Sequence, residues 1–218
     1  MVPAIVLTLA LPVAIGAVLF GAAGRWNIPA FWIYLALVLA LNALGLRLSD
    51  PDLVRERLHP GPGERDRLTR IVIAPILGLH WMIAGADVGW GRWSCFGPPV
   101  LRALGFLGVA AGIIVALWAV RVNRFFSSAV RLQPEREQHL IDSGPYRVVR
   151  HPGYSGAILA GLASGVALGS WLSLIPVAVG IAVIVWRTLL EERMLRDGLE
   201  GYADYMQLVR YRLVPGLW

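Results

Sequence analysis

The run Gly144-Pro145-Tyr146-Arg147-Val148-Val149-Arg150-His151-Pro152-Gly153-Tyr154-Ser155-Gly156 sets cations, phenols, an imidazole and conformational punctuation between two very apolar halves. Its glycines and prolines interrupt regular helix and restart it after Pro152, because glycine accepts left-handed angles and proline suits the first turn of a helix. Irregular backbone at the edge of hydrocarbon is tolerated only where protein buries it or where it lines a wet cavity. The run therefore reads as a site, with apolar helices on both sides of it.

Toward the amino terminus the apolar segments are 2–23, 28–48, 71–90 and 100–122, the last entered through the turn Gly97-Pro98-Pro99. Each is long enough to cross about 30 Å of hydrocarbon as a helix. No basic residue precedes 2–23, which is also long for the core of a signal peptide, so a retained span is expected. Between the second and third segments, Ser49-Asp50-Pro51-Asp52 signals a helix start amid arginines and acids, predicting a short interfacial helix and a loop over 49–70. Toward the carboxyl terminus, 152–168 and 171–190 predict a helical hairpin around Gly169-Ser170. Gly161, Gly165 and Gly169 recur every four residues on its first arm, a small-residue face for close helix packing. Over 191–211, Met194, Leu195, Leu199, Tyr202, Tyr205, Met206 and Val209 form one stripe, predicting an amphipathic helix that lies against the membrane face or caps the site.

The fold class is all-α: a polytopic membrane bundle of about six transmembrane helices, with a C-terminal hairpin and an amphipathic C-terminal helix. No long repeat is visible, so one domain is expected, with four spans in 1–122 and the functional part in 123–218. Composition agrees, since 57% of the 218 residues are hydrophobic and 16% charged.

All twenty basic residues are arginine, which excludes lysine Schiff-base chemistry and a P-loop lysine. The net charge of +6 does not imply nucleic acid, because the arginines sit in interhelical loops beside apolar runs, where lipid headgroups and membrane topology account for them. The lone Cys95 forms no intrachain disulfide, and no CxxC or Cys/His cluster is present, so no metal is expected. Six spans place seventeen arginines on one side and Arg25, Arg92 and Arg102 on the other. By the positive-inside rule the arginine-rich side, with both termini and the irregular run, is expected to be cytoplasmic. His80 falls in mid-span with no acidic neighbour at helical spacing, which favours a hydrogen-bonded packing role.

On the arginine-rich face, Gln133, His139, Tyr146, Arg147, Arg150, His151 and Tyr154 are expected to meet Arg187, Glu191 and Glu192 from the end of the last span. A carboxylate pair accepts from an ammonium, arginines bind a carboxylate, and tyrosines flank a purine or a sulfonium. The pattern suits a ligand that carries both charges.

These residues also carry a resemblance. Gly144-Pro145-Tyr146, Arg150-His151-Pro152-Gly153-Tyr154-Ser155-Gly156, Arg187, Glu191-Glu192-Arg193-Met194-Leu195, Tyr202-Ala203-Asp204-Tyr205 and Arg212-Leu213-Val214-Pro215 occur in that order. The arrangement closely resembles the isoprenylcysteine carboxyl methyltransferase family and its phospholipid methyltransferase relatives over roughly 123–218. The resemblance implies an integral membrane methyltransferase that uses S-adenosyl-L-methionine and takes a lipophilic substrate from the bilayer. It assigns Gln133, His139, Leu140, Tyr146, His151, Pro152, Tyr154, Glu191 and Glu192 to the cofactor pocket and Arg187 to the acidic end of the substrate, with Arg187, Tyr154 and His151 nearest the chemistry. Where the family tends to carry histidine two residues before the position of Leu140, this chain has Gln138, with His139 beside it. A carboxylate acceptor would need no general base, whereas a thiol or amine would turn attention to His151 or Tyr146. Two alternatives stand beside this reading: an NADPH-dependent membrane reductase of the sterol type, which has a similar carboxy-terminal pattern, and a non-catalytic scaffold or transporter.

Overall fold

The computed structural model describes residues 2–63, 66–91, 93–94 and 98–218, with backbone alone for Val2, Pro3 and Arg70. Arg65, Arg92, Cys95 and Gly97, which entered the charge, thiol and turn readings, lie outside the described residues. The helices are α1 (Val2–Ala23), α2 (Pro29–Leu48), α3 (Pro51–Leu58), α4 (Arg67–Ala86, extended by a π-helical turn Asp87–Gly91), α5 (Pro99–Val122), α6 (Pro152–Leu168), α7 (Leu174–Gly198) and α8 (Tyr202–Leu208). Proline at the first turn starts α2, α3, α5 and α6. The Asp50 carboxylate caps α3 by accepting from the Asp52 N–H at 2.8 Å, and Asp66 caps α4 by accepting from the Thr69 N–H at 3.1 Å.

Five helices, α1, α2, α4 with its π-turn, α5 and α7, are long and apolar enough to cross a bilayer. The sixth expected span, α6, has 17 residues, about 26 Å at helical rise. The protein is an all-helical integral membrane bundle. Two expectations change at the carboxyl end. The second hairpin arm is not 171–190 but α7, which carries its helix through Glu191 and Glu192 to Gly198. The amphipathic helix over 191–211 is consequently two pieces, the end of α7 and the short α8, separated by Gly201 in the left-handed region at φ 76°.

The core packs Ile15, Leu19, Phe20, Phe31, Tyr34, Val109 and Leu168 across α1, α2, α5 and α6. The tightest seam lies between α5 and α6. A Cβ on Gly112 would stand 2.5 Å from the Ala160 nitrogen, and one on Gly156 would stand 2.4 Å from the Gly112 oxygen. Gly161 and Gly165 face the start of α7 instead, where added Cβ atoms would lie 3.3 Å from Val177 and 2.4 Å from Leu174. The glycine spacing thus marks contacts within the hairpin. The closer seam uses a second stripe, Gly156, Ala160, Ala163 and Ala167, because alanine is nearly as permissive of close approach as glycine.

His80 is 1% exposed. Its Nδ1 lies 2.8 Å from the Ser173 carbonyl oxygen, which only accepts, so Nδ1 carries the proton and Nε2 is left to accept from the Ser164 hydroxyl at 2.8 Å. This joins α4 to both arms of the hairpin as a packing contact. At that far end of the bundle Asp87 accepts from the Ser170 hydroxyl at 2.6 Å and the Ser94 N–H at 3.0 Å. The opposite end gathers α3, the start of α4, the loop 123–151 and the end of α7.

Gly156→Leu is expected to destabilise the folded protein by about 1–3 kcal/mol or more through overpacking. Gly78→Ala, where an added Cβ meets nothing within 4 Å, is expected to leave the thermal midpoint in detergent unchanged or slightly raised.

Candidate active site

The loop after α5 carries little regular structure but is densely tied down. Asn123 accepts from the Phe125 N–H at 2.9 Å. Helix α3 docks on the loop through a nearly buried pair, in which Arg131 donates to both Glu56 carboxylate oxygens at 2.9 and 2.7 Å and Ser127 donates to Glu56 at 2.8 Å. Gly144 adopts φ +58°, a left-handed turn that starts the 3₁₀ segment carrying Tyr146. Gly153 allows the start of α6 to lie on Phe126, since a Cβ there would come within 2.6 Å of the ring.

The inner end of α7 supplies Arg187, Glu191 and Glu192, each in a different setting. Glu192, 4% exposed, accepts from Arg150 Nε at 2.6 Å and Arg212 Nε at 2.7 Å, with His151 Nε2 at 3.5 Å. The Arg150 and His151 N–H groups donate to the Tyr211 and Arg212 carbonyls at 2.9 Å, so the carboxyl-terminal tail is stapled along the start of α6. Glu191, one residue earlier, accepts from the Tyr154 hydroxyl at 2.6 Å. Arg187 donates from Nε to that same hydroxyl at 2.8 Å and from an Nη to the Ser128 carbonyl at 2.7 Å, while its other Nη lies 3.6 Å from Asp66. Tyr154 also stacks on His151, with ring centroids 5.6 Å apart and planes 8° from parallel.

A cleft open to solvent runs between this loop and the end of α7. Gln133, His139, Leu140, Tyr146, His151, Tyr154 and Glu191 line it. Gln133 is 1% exposed, donating to the Phe125 carbonyl at 2.7 Å and accepting from Arg136 at 2.5 Å. His139 is exposed at the rim, edge-on to Phe125 at 5.0 Å. Four expected members stand elsewhere. Pro152 is buried as the first residue of α6, Glu192 lies beneath the cleft in its ion pairs, Arg147 is exposed, and Arg187 sits behind Tyr154.

Sequence reasoning did not find Asn123, Phe125, Tyr202 or Tyr205 on the wall, nor Asp66 beside Arg187. Of the two placements open to the stripe over 191–211, membrane face or cap of the site, the tyrosines take the second. Tyr205 donates to the Tyr146 carbonyl at 2.7 Å, so their hydroxyl-bearing edges turn inward. Asp66 offered a visible signal, an acid at a helix start, but nothing in the chain announces which distant cation it meets. Burial raises the Tyr146 phenol above its ordinary value, and the nearby Glu191 charge adds to the rise despite a hydrogen bond from Asn123. Tyr146 is therefore a neutral hydrogen-bonding group at working pH and not a base.

Two outcomes are expected. Glu192→Ala should destabilise the protein by about 3–5 kcal/mol, read by chemical denaturation, because it leaves buried guanidinium charge uncompensated. Glu56 behaves differently with pH: burial raises its carboxyl, but hydrogen bonds and charge from Arg131 and Ser127 outweigh this and hold it below the ordinary value. Its stabilisation is complete above the usual glutamate range and is lost as pH falls through the lower folded value. The melting-temperature gap between wild type and Glu56→Gln should accordingly be open at neutral pH and close below about pH 4.

The comparisons with known proteins follow the same geometry. A family model described as phospholipid methyltransferase matches residues 100–200, which takes in α5, the loop, α6 and α7 with Glu191 and Glu192. A probable protein-S-isoprenylcysteine O-methyltransferase of Oryza sativa subsp. indica is 34% identical over 66% of this chain and 68% of its own length. Protein-S-isoprenylcysteine O-methyltransferase B of Arabidopsis thaliana is 29% identical over 65% of this chain and 64% of its own. A cobalt-zinc-cadmium resistance protein of Cupriavidus metallidurans is 29% identical over 58% of this chain and 56% of its own. The comparisons lend no support to a reductase or to a non-catalytic scaffold or transporter, and with α5, the loop, α6 and the α7 charges falling inside the matched region, the chain belongs to the protein-S-isoprenylcysteine O-methyltransferase family of integral membrane methyltransferases.

Proposed function

We propose that the protein methylates the carboxylate of a prenylated cysteine, or of a closely related isoprenoid acid, with S-adenosylmethionine as donor, at the cytosolic leaflet. The observation that carries this reading is the hydrogen-bonded chain Arg187–Tyr154–Glu191, whose inner end faces the cleft and whose outer end is a cation behind Tyr154. The relatives are named for a prenylcysteine acceptor, and a buried guanidinium is the group that recognises a carboxylate.

The chemistry of the cleft fits the donor. Glu191 offers a carboxylate to a cation, and Phe125, Tyr146 and the stacked His151–Tyr154 pair offer aromatic faces. His151 turns Nε2 toward Glu192, 3.5 Å away, which leaves its ring face stacked with Tyr154 at the cleft wall. When bound, S-adenosylmethionine would supply a sulfonium methyl for in-line attack by a carboxylate oxygen, the O–CH3 bond forming as the S–CH3 bond breaks, with the thioether as leaving group.

Everything else falls to residues of this chain. The acceptor carboxylate is already ionised at neutral pH, so no general base is required. Tyr154 accepts from Arg187 and donates to Glu191, and is thereby held as a fixed neutral dipole between the two substrate sites. Arg187 orients the acceptor, and its buried position, behind the half-buried Tyr154, keeps water from hydrating the nucleophile. Esterification removes the charge that Arg187 holds, which favours release of product to the bilayer. The segment 123–218 provides the donor cleft, while Glu56 and Asp66 from 1–122 brace it. The arginine bias of the segments 49–70, 123–150 and 191–218, read from the sequence, supports a cytosolic placement.

The test is a thermal titration of detergent-purified protein with S-adenosylmethionine, its demethylated product and NADPH, since ligands of the folded state raise its midpoint. The first two are expected to stabilise and NADPH is not. Glu191→Gln and Tyr154→Ala should weaken donor binding by tenfold or more, about 1.4 kcal/mol. Arg187→Ala should mainly raise the acceptor KM, and unimpaired turnover in all three variants overturns the assignment.

A further inference from the structure

The next step rests on reading Arg187 as the carboxylate site. Two contacts orient that side chain, one to the Tyr154 hydroxyl at 2.8 Å and one to the Ser128 carbonyl at 2.7 Å. A third neighbour does not. Asp66 Oδ2 stands 3.6 Å from the free Nη edge, beyond hydrogen-bond reach. Its other oxygen is occupied by the Thr69 N–H in capping α4. Asp66 is 3% exposed, and Oδ2 is buried with no hydrogen-bond partner among the described residues. Buried carboxylate oxygens normally find donors.

The position separates two effects. Arg187 is aimed by Tyr154 and Ser128, so its orientation does not require Asp66. Its charge, however, is felt across 3.6 Å of protein-filled space, where Coulomb interaction is poorly screened. An acid arriving at the free edge of Arg187 meets Asp66 as a rival anion.

The geometry points to Asp66 as an affinity-setting residue of the acceptor site, one whose charge offsets Arg187 and weakens its hold on every carboxylate, so that simple lipid anions of the leaflet, fatty-acid carboxylates above all, are not retained there. Only an acceptor with further contacts along its prenyl and cysteine parts then binds well enough to be methylated. The discrimination itself lies in those further contacts, since the Asp66 charge lowers the affinity for both kinds of acid alike.

Asp66→Asn keeps a capping oxygen for Thr69 and removes the charge, and Asp66→Ser does the same with a smaller cap. For wild type and both variants, one measures the KM for N-acetyl-S-farnesylcysteine, the KM for S-adenosylmethionine, and the affinity for palmitate, both as an inhibitor and by thermal shift. In each variant that folds, the farnesylcysteine KM and the palmitate dissociation constant are expected to fall about three- to tenfold. The KM for S-adenosylmethionine should not follow. An acceptor KM or palmitate constant that stays the same or rises overturns the proposal, and so does a parallel fall in the S-adenosylmethionine KM; a merely structural role for Asp66 gives the opposite sign. The palmitate shift needs no turnover. Absence of methyl transfer to farnesylcysteine by wild type would therefore sink the acceptor assignment while leaving the role of Asp66 to be judged on palmitate.

Discussion

A carboxylate buried at the foot of a membrane helix must be matched by cations, and at Glu192 this requirement organises the whole inner end of the molecule. Arg150 comes from the loop that precedes α6, and Arg212 from the tail that follows α8. Satisfying one acid thus draws two distant segments to α7. Arg150 also donates to the Val209 and Arg210 carbonyls at 2.7 and 2.9 Å, so the same guanidinium fixes the tail's backbone. With the start of α6 pinned in this way, Tyr154 falls opposite Glu191 and Arg187.

Arg187, Glu191 and Glu192 of α7 then divide their work by depth and partner. Glu192 is consumed by structure. Glu191 keeps an open side toward the cleft while binding Tyr154. Arg187 reaches back between Tyr154, the loop carbonyl of Ser128 and the acid that caps α4. Charges this close to hydrocarbon are costly unless compensated or used. In this bundle the compensation and the use are distributed along a few turns of a single helix.

The amino-terminal half contributes more than a membrane anchor. Helix α3 clamps the loop through Glu56 and Arg131, and the start of α4 brings Asp66 to Arg187. Both contacts link residues from outside the matched segment 100–200 to residues within it.

Much of this was legible in the chain. The apolar runs and their proline starts determined the helices, because hydrocarbon demands long stretches with satisfied backbone and proline suits the first turn. The spacing of Arg187 and Glu191 put both on one helical face, and the Arg-His-Pro-Gly-Tyr block fixed where the backbone must turn. Other features were not legible. The stripe of 191–211 has helical period, yet the chain breaks at Gly201 and folds Tyr202 and Tyr205 inward, since periodicity reports a helix face and not what covers it. Adjacent glutamates of identical type separate into a buried anchor and a cleft acid only because successive residues of a helix point about 100° apart, and distant segments arrive on one side alone. Sequence by itself determined the spans, the turning block and the family; tertiary structure alone decided which charges pair, because electrostatic partners in a membrane bundle are chosen across space, between residues that lie dozens of positions apart in the chain.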